Sequence, residues 1–446
     1  MKANQIAIYL NLALLLLGLT LSFSTPWKPF IWEGFGDPYD YLRQAKMPFF
    51  STDFFWPARY QLEGGGVHSP RPFTTPLFYK LMGANANAII IMQKLMNHFA
   101  AFFMVASLLL LLKKSATRLM AALSIHLLLN WWHISGWALL LLSESLGTSL
   151  FICWVASWLF YLQRPSYKSA ALHIVALILF SFTRDNWPYM LLPFYGLFTI
   201  FSLWREPKFL RISLAGLGLM LSIFFLQQAA ADFGHRYRLP IMHNLLVRVM
   251  PNEVWWKWFA DKGMPQQEEL KRNFGKLESD DKKMYNLYND NTYQPFFNWV
   301  DSKGKSAYMQ FLLTHPHYTF LLHEKPNQLY KMVAYNLTYY GPSRGYTKAL
   351  DFIFPMFHWV LIFILFPFLI FAYWRSRLWI FAFALIQLLV FLLHTFILYN
   401  ADTFEVERHM FINQTIWHLL CFLTIICAIE YRTAIFGKKK VLDYNN

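Results

Sequence analysis

Uninterrupted apolar stretches constrain this chain most, because a helix needs about 20 apolar residues to cross the hydrocarbon core of a bilayer. Such stretches lie near 6–24, 88–112, 208–230, 352–374, 378–399 and 409–429. They are continuous rather than alternating, so they predict helices and not barrel strands. Residues 119–204 are also apolar but are broken by polar residues. They predict four shorter helices, near 119–133, 137–162, 169–183 and 187–204. The expected fold is an all-α polytopic membrane protein of about ten transmembrane helices. Charged residues make up 15% of the chain, against about 25% in soluble domains. Its 44 Phe, 24 Tyr and 18 Trp exclude disorder, and its three cysteines exclude a disulfide scaffold. No small-residue cleavage site follows the first apolar run, so that run predicts a retained anchor.

Basic residues fall in alternate short connections: Lys2, then Lys113, Lys114 and Arg118, then Arg164 and Lys168, then Arg205, Lys208 and Arg211. Arg375 and Arg377, then Arg432 and Lys438–Lys440, continue the series. Such residues mark the cytoplasmic side, which predicts both termini inside. The net charge of +15 is then largely a topology signal, and no clustered basic face predicts a nucleic-acid partner. The expected organisation is an N-terminal membrane module over 1–230, with a first exoplasmic loop at 25–87. A mainly helical exoplasmic insertion at 231–351, a C-terminal membrane module at 352–436 and a cytoplasmic tail at 437–446 follow.

The first exoplasmic loop opens with GDPYDYLRQA, in which Pro38 suits a first helical position and Asp37 its cap. Asp37 and Asp40 would then sit just outside the membrane, either as cap and solvated acid or as catalytic carboxylates. HSPRPFTTPLFYKL carries His68 and Arg71, and a guanidinium at headgroup depth suits a phosphate. LLLLSESLGTSL places Glu144 inside a predicted span, and SFTRDNWPY places Arg184 at a helix end. Ionisable groups at membrane depth face one another or a cavity, so Glu144 and Arg184 read equally as a mutual pair and as the lining of a polar pocket. The last exoplasmic turn, NADTFEVERHMF, brings Asp402, Glu405 and His409 to one helical face, with Arg408 beside them. A simple connection needs no such density of charge. His315 and His317 have no further ligand at metal spacing, and no Walker loop, GxGxxG or HExxH occurs.

Together these motifs resemble the GT-C glycosyltransferases, integral membrane enzymes that use lipid-phosphate-linked sugars. The resemblance rests on the acid of GDPYDYLRQA after the first span, the PLFYKL approach to the second, SES in the early bundle and ERH before the final helix. It is nearest to bacterial enzymes similar to protein mannosyltransferases and the lipid A aminoarabinose transferase. It implies a GT-C-like bundle and an inverting transfer from a polyprenyl-phosphate sugar to a hydroxyl on a lipid, glycan or protein acceptor. The implied setting is the exoplasmic face of a bacterial plasma membrane. The matching catalytic carboxylate is Asp37 or Asp40. His68, Arg71, Glu144, Arg184, Asp402, Glu405, Arg408 and His409 would serve the substrate. The resemblance fixes no cofactor; some relatives need no metal, and Asp37, Asp40 and Asp402 are hard-cation ligands that would suit a divalent ion. The alternatives are a transporter or flippase of a lipid-linked sugar, for which internal repeats would be expected, and a non-enzymatic assembly subunit.

Overall fold

The computed structural model describes residues 2–24, 37–55, 60–61, 67–68, 71–233, 236–267, 270, 290–320, 359–401 and 406–437. Helices dominate. Tyr60–Gln61 and Val67–His68 form a short antiparallel ladder, with Tyr60 opposite His68. The principal helices are α1 (Lys2–Ser24), α2 (Asp37–Lys46), α3 (Thr74–Leu81), α4 (Ala86–Leu111), α5 (Ser115–Asn130), α6 (Ser143–Gln163) and α7 (Tyr167–Ser181). They continue with α8 (Trp187–Trp204), α9 (Leu210–Phe233), α10 (Glu253–Asp261), α11 (Lys305–Thr314), α12 (Trp359–Ser376), α13 (Trp379–Ala401) and α14 (Val406–Glu430).

Each predicted apolar segment overlaps one of these helices, with 352–358 outside the described residues. Six described segments are long and apolar enough to cross a membrane: Gln5–Ser24, Ala86–Leu111, Ser143–Gln163, Pro207–Phe233, Trp379–Ala401 and His409–Glu430. That is the length and composition of a multi-pass membrane protein. The helices α5 and α7 are shorter, at 16 and 15 residues, and α8 and α12 contain Pro193 and Pro367.

One boundary differs and changes where Glu144 lies. The segment expected at 137–162 does not begin as a helix there. Residues 132–139 make a short helical turn and a 3-10 turn, Leu142 is extended, and α6 starts at Ser143. Trp131 and Trp137 are buried in this irregular stretch, so its apolar character comes from packing against the bundle rather than from a helix continuing through lipid. Glu144 therefore lies in the first turn of α6, where the helix dipole favours an anion.

Local signals set the other ends. Asn85 caps α4 by accepting from the amide of Ala88 at 3.1 Å, and Ser166 and Ser169 form a reciprocal capping box on α7. Consecutive apolar helices pack side by side, α4 against α1, α5 and α6, α8 against α9, and α12 to α14 in sequence. The chain thus runs up and down. Near the C-terminus, α14 closes the bundle by packing on both α5 and α6. Gly147 eases that approach, because a Cβ there would stand 3.0 Å from Ile412 Cδ1 and press that side chain aside.

Polar groups inside the bundle find partners across helices, as a medium without water demands. Asn11 of α1 donates to the Phe102 carbonyl at 3.3 Å, and its Oδ1 meets His126 Nε2 at 2.8 Å. Lys94 donates to the Ser22 carbonyl at 2.9 Å, and Asn97 to that of Leu129 at 2.7 Å. The bonds of Asn11 and Lys94 tie α1 into the bundle and that of Asn97 ties α4 to α5, each contributing on the order of 1 kcal/mol.

A second apolar core lies outside the main one. It gathers Leu245, Leu246, Phe259, Phe296, Phe311 and Tyr318 from the insertion between α9 and α12. The insertion is fastened to the ends of α9 and α13. Lys305 pairs with Asp232 at the end of α9 at 2.5 Å, and the Tyr308 hydroxyl donates to the Asn400 carbonyl at the end of α13 at 2.8 Å. Asn400 returns a bond to the Thr319 carbonyl at 3.0 Å, and the Arg248 guanidinium lies 3.5 Å over the Tyr399 ring.

Candidate functional site

The site is built where α2 and α3 lie across one end of the bundle. Helix α2 begins at Asp37, carries Asp37 and Asp40 in its first turn and Arg43 and Lys46 in its last, and so complements its own dipole at both ends. Asp37, Tyr41 and Gln44 follow at steps of four and three and share one face. Tyr41 and Gln44 on that face are buried. Gln44 grips the segment entering α3. Its Nε2 donates to the carbonyls of Arg71 at 2.8 Å and Phe54 at 2.9 Å, while its Oε1 accepts from the Arg71 amide at 3.1 Å. With its backbone held in this way, Arg71 pairs through Nη2 with Asp37 Oδ1.

The helix α3 joins this layer to the bundle. The Thr74 amide donates to the Phe182 carbonyl at 3.2 Å, just before Arg184, and the Phe73 and Phe182 rings stand 4.5 Å apart. The Tyr79 hydroxyl reaches the Leu142 carbonyl at 3.4 Å, just before Glu144. Lys80 closes the C-terminus of α2 by donating to the carbonyls of Ala45 at 3.1 Å and Met47 at 2.6 Å.

Below this layer, Arg184 Nη1 stands 3.3 Å from Glu144 Oε1, and its Nη2 stands 3.0 Å from His409 Nδ1. Guanidinium has no acceptor, so the imidazole accepts at Nδ1 and its ring proton lies on Nε2. Three separate parts of the chain, the starts of α6 and α14 and the turn after α7, therefore meet at Arg184. The next residue, Asp185, pairs with Arg236 at 3.1 Å and links this level to the insertion.

Tyr41 reports how near the two ion pairs are to each other. Burial and then the Asp37 carboxylate push its hydroxyl up to about 12, with Arg71 and Arg184 pulling the other way and Glu144 adding to the rise. All four charged groups thus act on one buried phenol. Tyr79, also buried, feels Tyr41, Glu144 and Asp37, and is likewise shifted upward. The Tyr41 and Tyr79 rings meet edge to face with centroids 5.9 Å apart.

Of the residues expected to form a site, the structure brings together Asp37, Arg71, Glu144, Arg184 and His409. Asp40 lies on α2, half-buried. Asp402 and Glu405 lie outside the described residues, as do the side chains of His68 and Arg408, whose backbones belong to the short ladder and to α14. No cluster of three or more His, Cys, Asp or Glu suited to a metal occurs among the described residues. Sequence reasoning missed Tyr41, Gln44 and Tyr79. The helical spacing Asp37–Tyr41–Gln44 within DPYDYLRQ was the signal available for the first two.

The cluster offers one carboxylate at its rim, two guanidinium groups, an imidazole and buried phenols, with the charges of Asp37, Arg71, Glu144 and Arg184 summing to zero. Chemically, it can accept a proton and hold an anion. The chain matches no family model, no curated protein and no solved structure.

Proposed function

We propose that this protein is an integral membrane glycosyltransferase of the GT-C type, moving a sugar from a polyprenyl-phosphate donor to a hydroxyl acceptor at the face where Asp37 lies. The observation that carries the reading is the convergence of the Asp37–Arg71 pair and the Glu144–Arg184–His409 group at one end of a bundle of apolar helices. A polyprenyl tail needs lipid, while its phosphosugar needs a polar pocket at the interface. Few water-soluble substrates would call for that combination.

In the proposed reaction, Asp37 accepts the proton of the acceptor hydroxyl as its oxygen attacks the anomeric carbon. The bond from that carbon to the phosphate oxygen breaks, and its electron pair leaves with the phosphate. Arg71 and Arg184 stabilise the departing anion, for which guanidinium geometry is well suited. A phosphate already leaves as an anion, so no separate acid is needed. In-line attack inverts the sugar. The phenols of Tyr41 and Tyr79 keep water from the base of the cluster.

The side of the membrane follows from charge. The short basic connections after α4, α6, α8 and α12 lie at the end of the up-and-down chain opposite Asp37. The positive-inside tendency puts that end in the cytoplasm, and hence the site on the exoplasmic face of a plasma membrane of bacterial type.

The test uses proteoliposomes with radiolabelled polyprenyl-phosphate sugars and an envelope fraction as acceptor. The expected result is label moved to the acceptor with release of polyprenyl phosphate. Asp37→Asn lowers this transfer by about 10²–10⁴-fold at unchanged protein level. Donor crossing the bilayer with its sugar still attached would replace the proposal with a transporter or flippase.

A further inference from the structure

The insertion between α9 and α12 carries apolar residues that its own core does not use. On α11, Met309 and Leu313 are 55% and 80% exposed, and Phe320, a few residues on, is 53% exposed. Steps of four put Met309 and Leu313 on one face. The opposite face supplies Tyr308 and Phe311 to the core of the insertion. Exposed apolar residues scattered singly are ordinary, but a group on one face beside an established apolar surface is a candidate contact.

That neighbouring surface is the outer face of α13. Leu389 and Leu393 are exposed there, and Phe396 follows three residues on, on the same side. Phe396 meets Phe320 edge to face at 5.4 Å. The Phe320 ring thus extends the apolar stripe of a membrane helix onto the insertion. Two polar fastenings hold α11 at this height, Lys305 to Asp232 at 2.5 Å and Tyr308 to the Asn400 carbonyl at 2.8 Å.

We infer that Met309, Leu313 and Phe320 form a lipid-seated edge of the insertion, resting in the headgroup and upper acyl layer of the bilayer beside α13. The occupant is the lipid surface itself. Burial of such side chains to about 5–10 Å is the depth at which interfacial helices rest. The consequence is mechanical: the insertion is held by lipid as well as by its polar fastenings, so its position over the end of the bundle depends on the membrane.

The experiment places the environment-sensitive fluorophore NBD on a single cysteine at position 313, 309 or 298 of the full-length protein, with Cys153, Cys421 and Cys427 replaced by alanine. The protein is reconstituted in nanodiscs of phosphatidylcholine, with and without lipid bearing a nitroxide near the carbonyl end of its acyl chain. Asn298 is the control, an exposed residue of the second core's outer surface. NBD emission at Leu313→Cys and Met309→Cys is expected to shift to the blue and to be quenched by the nitroxide lipid, most strongly at 313, with neither effect at 298. Unshifted emission at 313 and 309 would overturn the inference. So would a blue shift that the nitroxide lipid leaves unquenched, since that would mean the face is covered by protein, either another segment of this chain or a second copy. Leu313→Glu supplies a second readout, free of the fluorophore. Raising the content of nitroxide lipid should no longer broaden the spectrum of a spin label at 309 once that glutamate is in place. Persistent broadening would also contradict the inference.

Discussion

Glu144 and Glu430 sit near opposite ends of the same bundle, and both are almost sealed from solvent, at 0% and 6% exposure. They are satisfied in different ways. Glu430, at the end of α14, accepts from the backbone amides of Lys113 and Lys114 at 3.1 Å each and from the Thr117 hydroxyl at 2.5 Å. It caps the start of α5 from another helix, and Lys114 answers by donating to the Ile429 carbonyl at 2.7 Å. Glu144 instead faces the guanidinium of Arg184, which also reaches His409. A carboxylate held by backbone amides is fixed by the fold and can exchange nothing. A carboxylate held by a side-chain cation belongs to a set whose partners can be redistributed when an anionic ligand arrives. On the proposed reading, one end of the bundle stays closed and the other binds.

The sharpest way to break this contrast is to remove charge at each end separately. Glu144→Gln leaves Arg184 as a cation without its carboxylate at membrane depth, which should cost about 3–5 kcal/mol of stability. The double variant Glu144→Gln, Arg184→Gln should recover much of the loss, and a thermal-unfolding cycle in detergent measures the coupling. Additive losses would mean that the two side chains do not act as a pair. At the other end, Glu430→Ala orphans two amides and a hydroxyl and should cost about 1–3 kcal/mol. Activity per folded molecule should be unchanged. A loss of specific activity would place that end in the mechanism and dissolve the distinction.

Two smaller effects sharpen the picture within the site. Arg71→Lys keeps the charge beside Asp37 but loses the planar fork. The apparent KM for a polyprenyl-phosphate donor should rise by about tenfold, the equivalent of one charge-assisted hydrogen bond, with melting temperature little changed. An unaltered KM would reduce Arg71 to a structural partner of Asp37. Tyr41 gives the smallest effect. Its hydroxyl is raised to about 12 by burial and Asp37, above the ordinary tyrosine value of about 10. The folded state therefore holds this proton more tightly than the unfolded chain. The stability that results is complete below about pH 10 and is lost as pH rises through about 12. Tyr41→Phe should flatten part of the alkaline fall in melting temperature and leave its neutral value nearly unchanged. Tyr79, shifted the same way, keeps the remainder of the slope.

How much of this was legible in the sequence depends on the kind of signal. Apolar helices were readable because lipid imposes length and hydrophobicity on each one locally, and 187–204 matches α8 at both ends. The start of α6 was not readable. The run from Leu139 to Leu142 looks like membrane helix, yet it belongs to a turn packed under Trp131 and Trp137. Hydropathy cannot separate burial in protein from burial in lipid. Among the candidate site residues, Glu144 and Arg184 were suggested as a pair by their cost at membrane depth, and they meet at 3.3 Å. Asp37 and Arg71 came from separate motifs. Their pairing depends on Gln44, whose grip on the Arg71 backbone no motif announces. Charges converge by tertiary packing, and a spacing rule within one helix cannot supply that.

The measurement closest to the central claim separates holding the donor from reacting with it. Donor binding and sugar transfer would be measured on the same nanodisc preparations of the wild-type protein and Asp37→Asn, using a radiolabelled polyprenyl-phosphate sugar that supports wild-type turnover. The account predicts that Asp37→Asn still binds the donor while transfer falls by about 10²–10⁴-fold. Transfer undiminished in Asp37→Asn would contradict it, as would a loss of transfer explained entirely by lost binding.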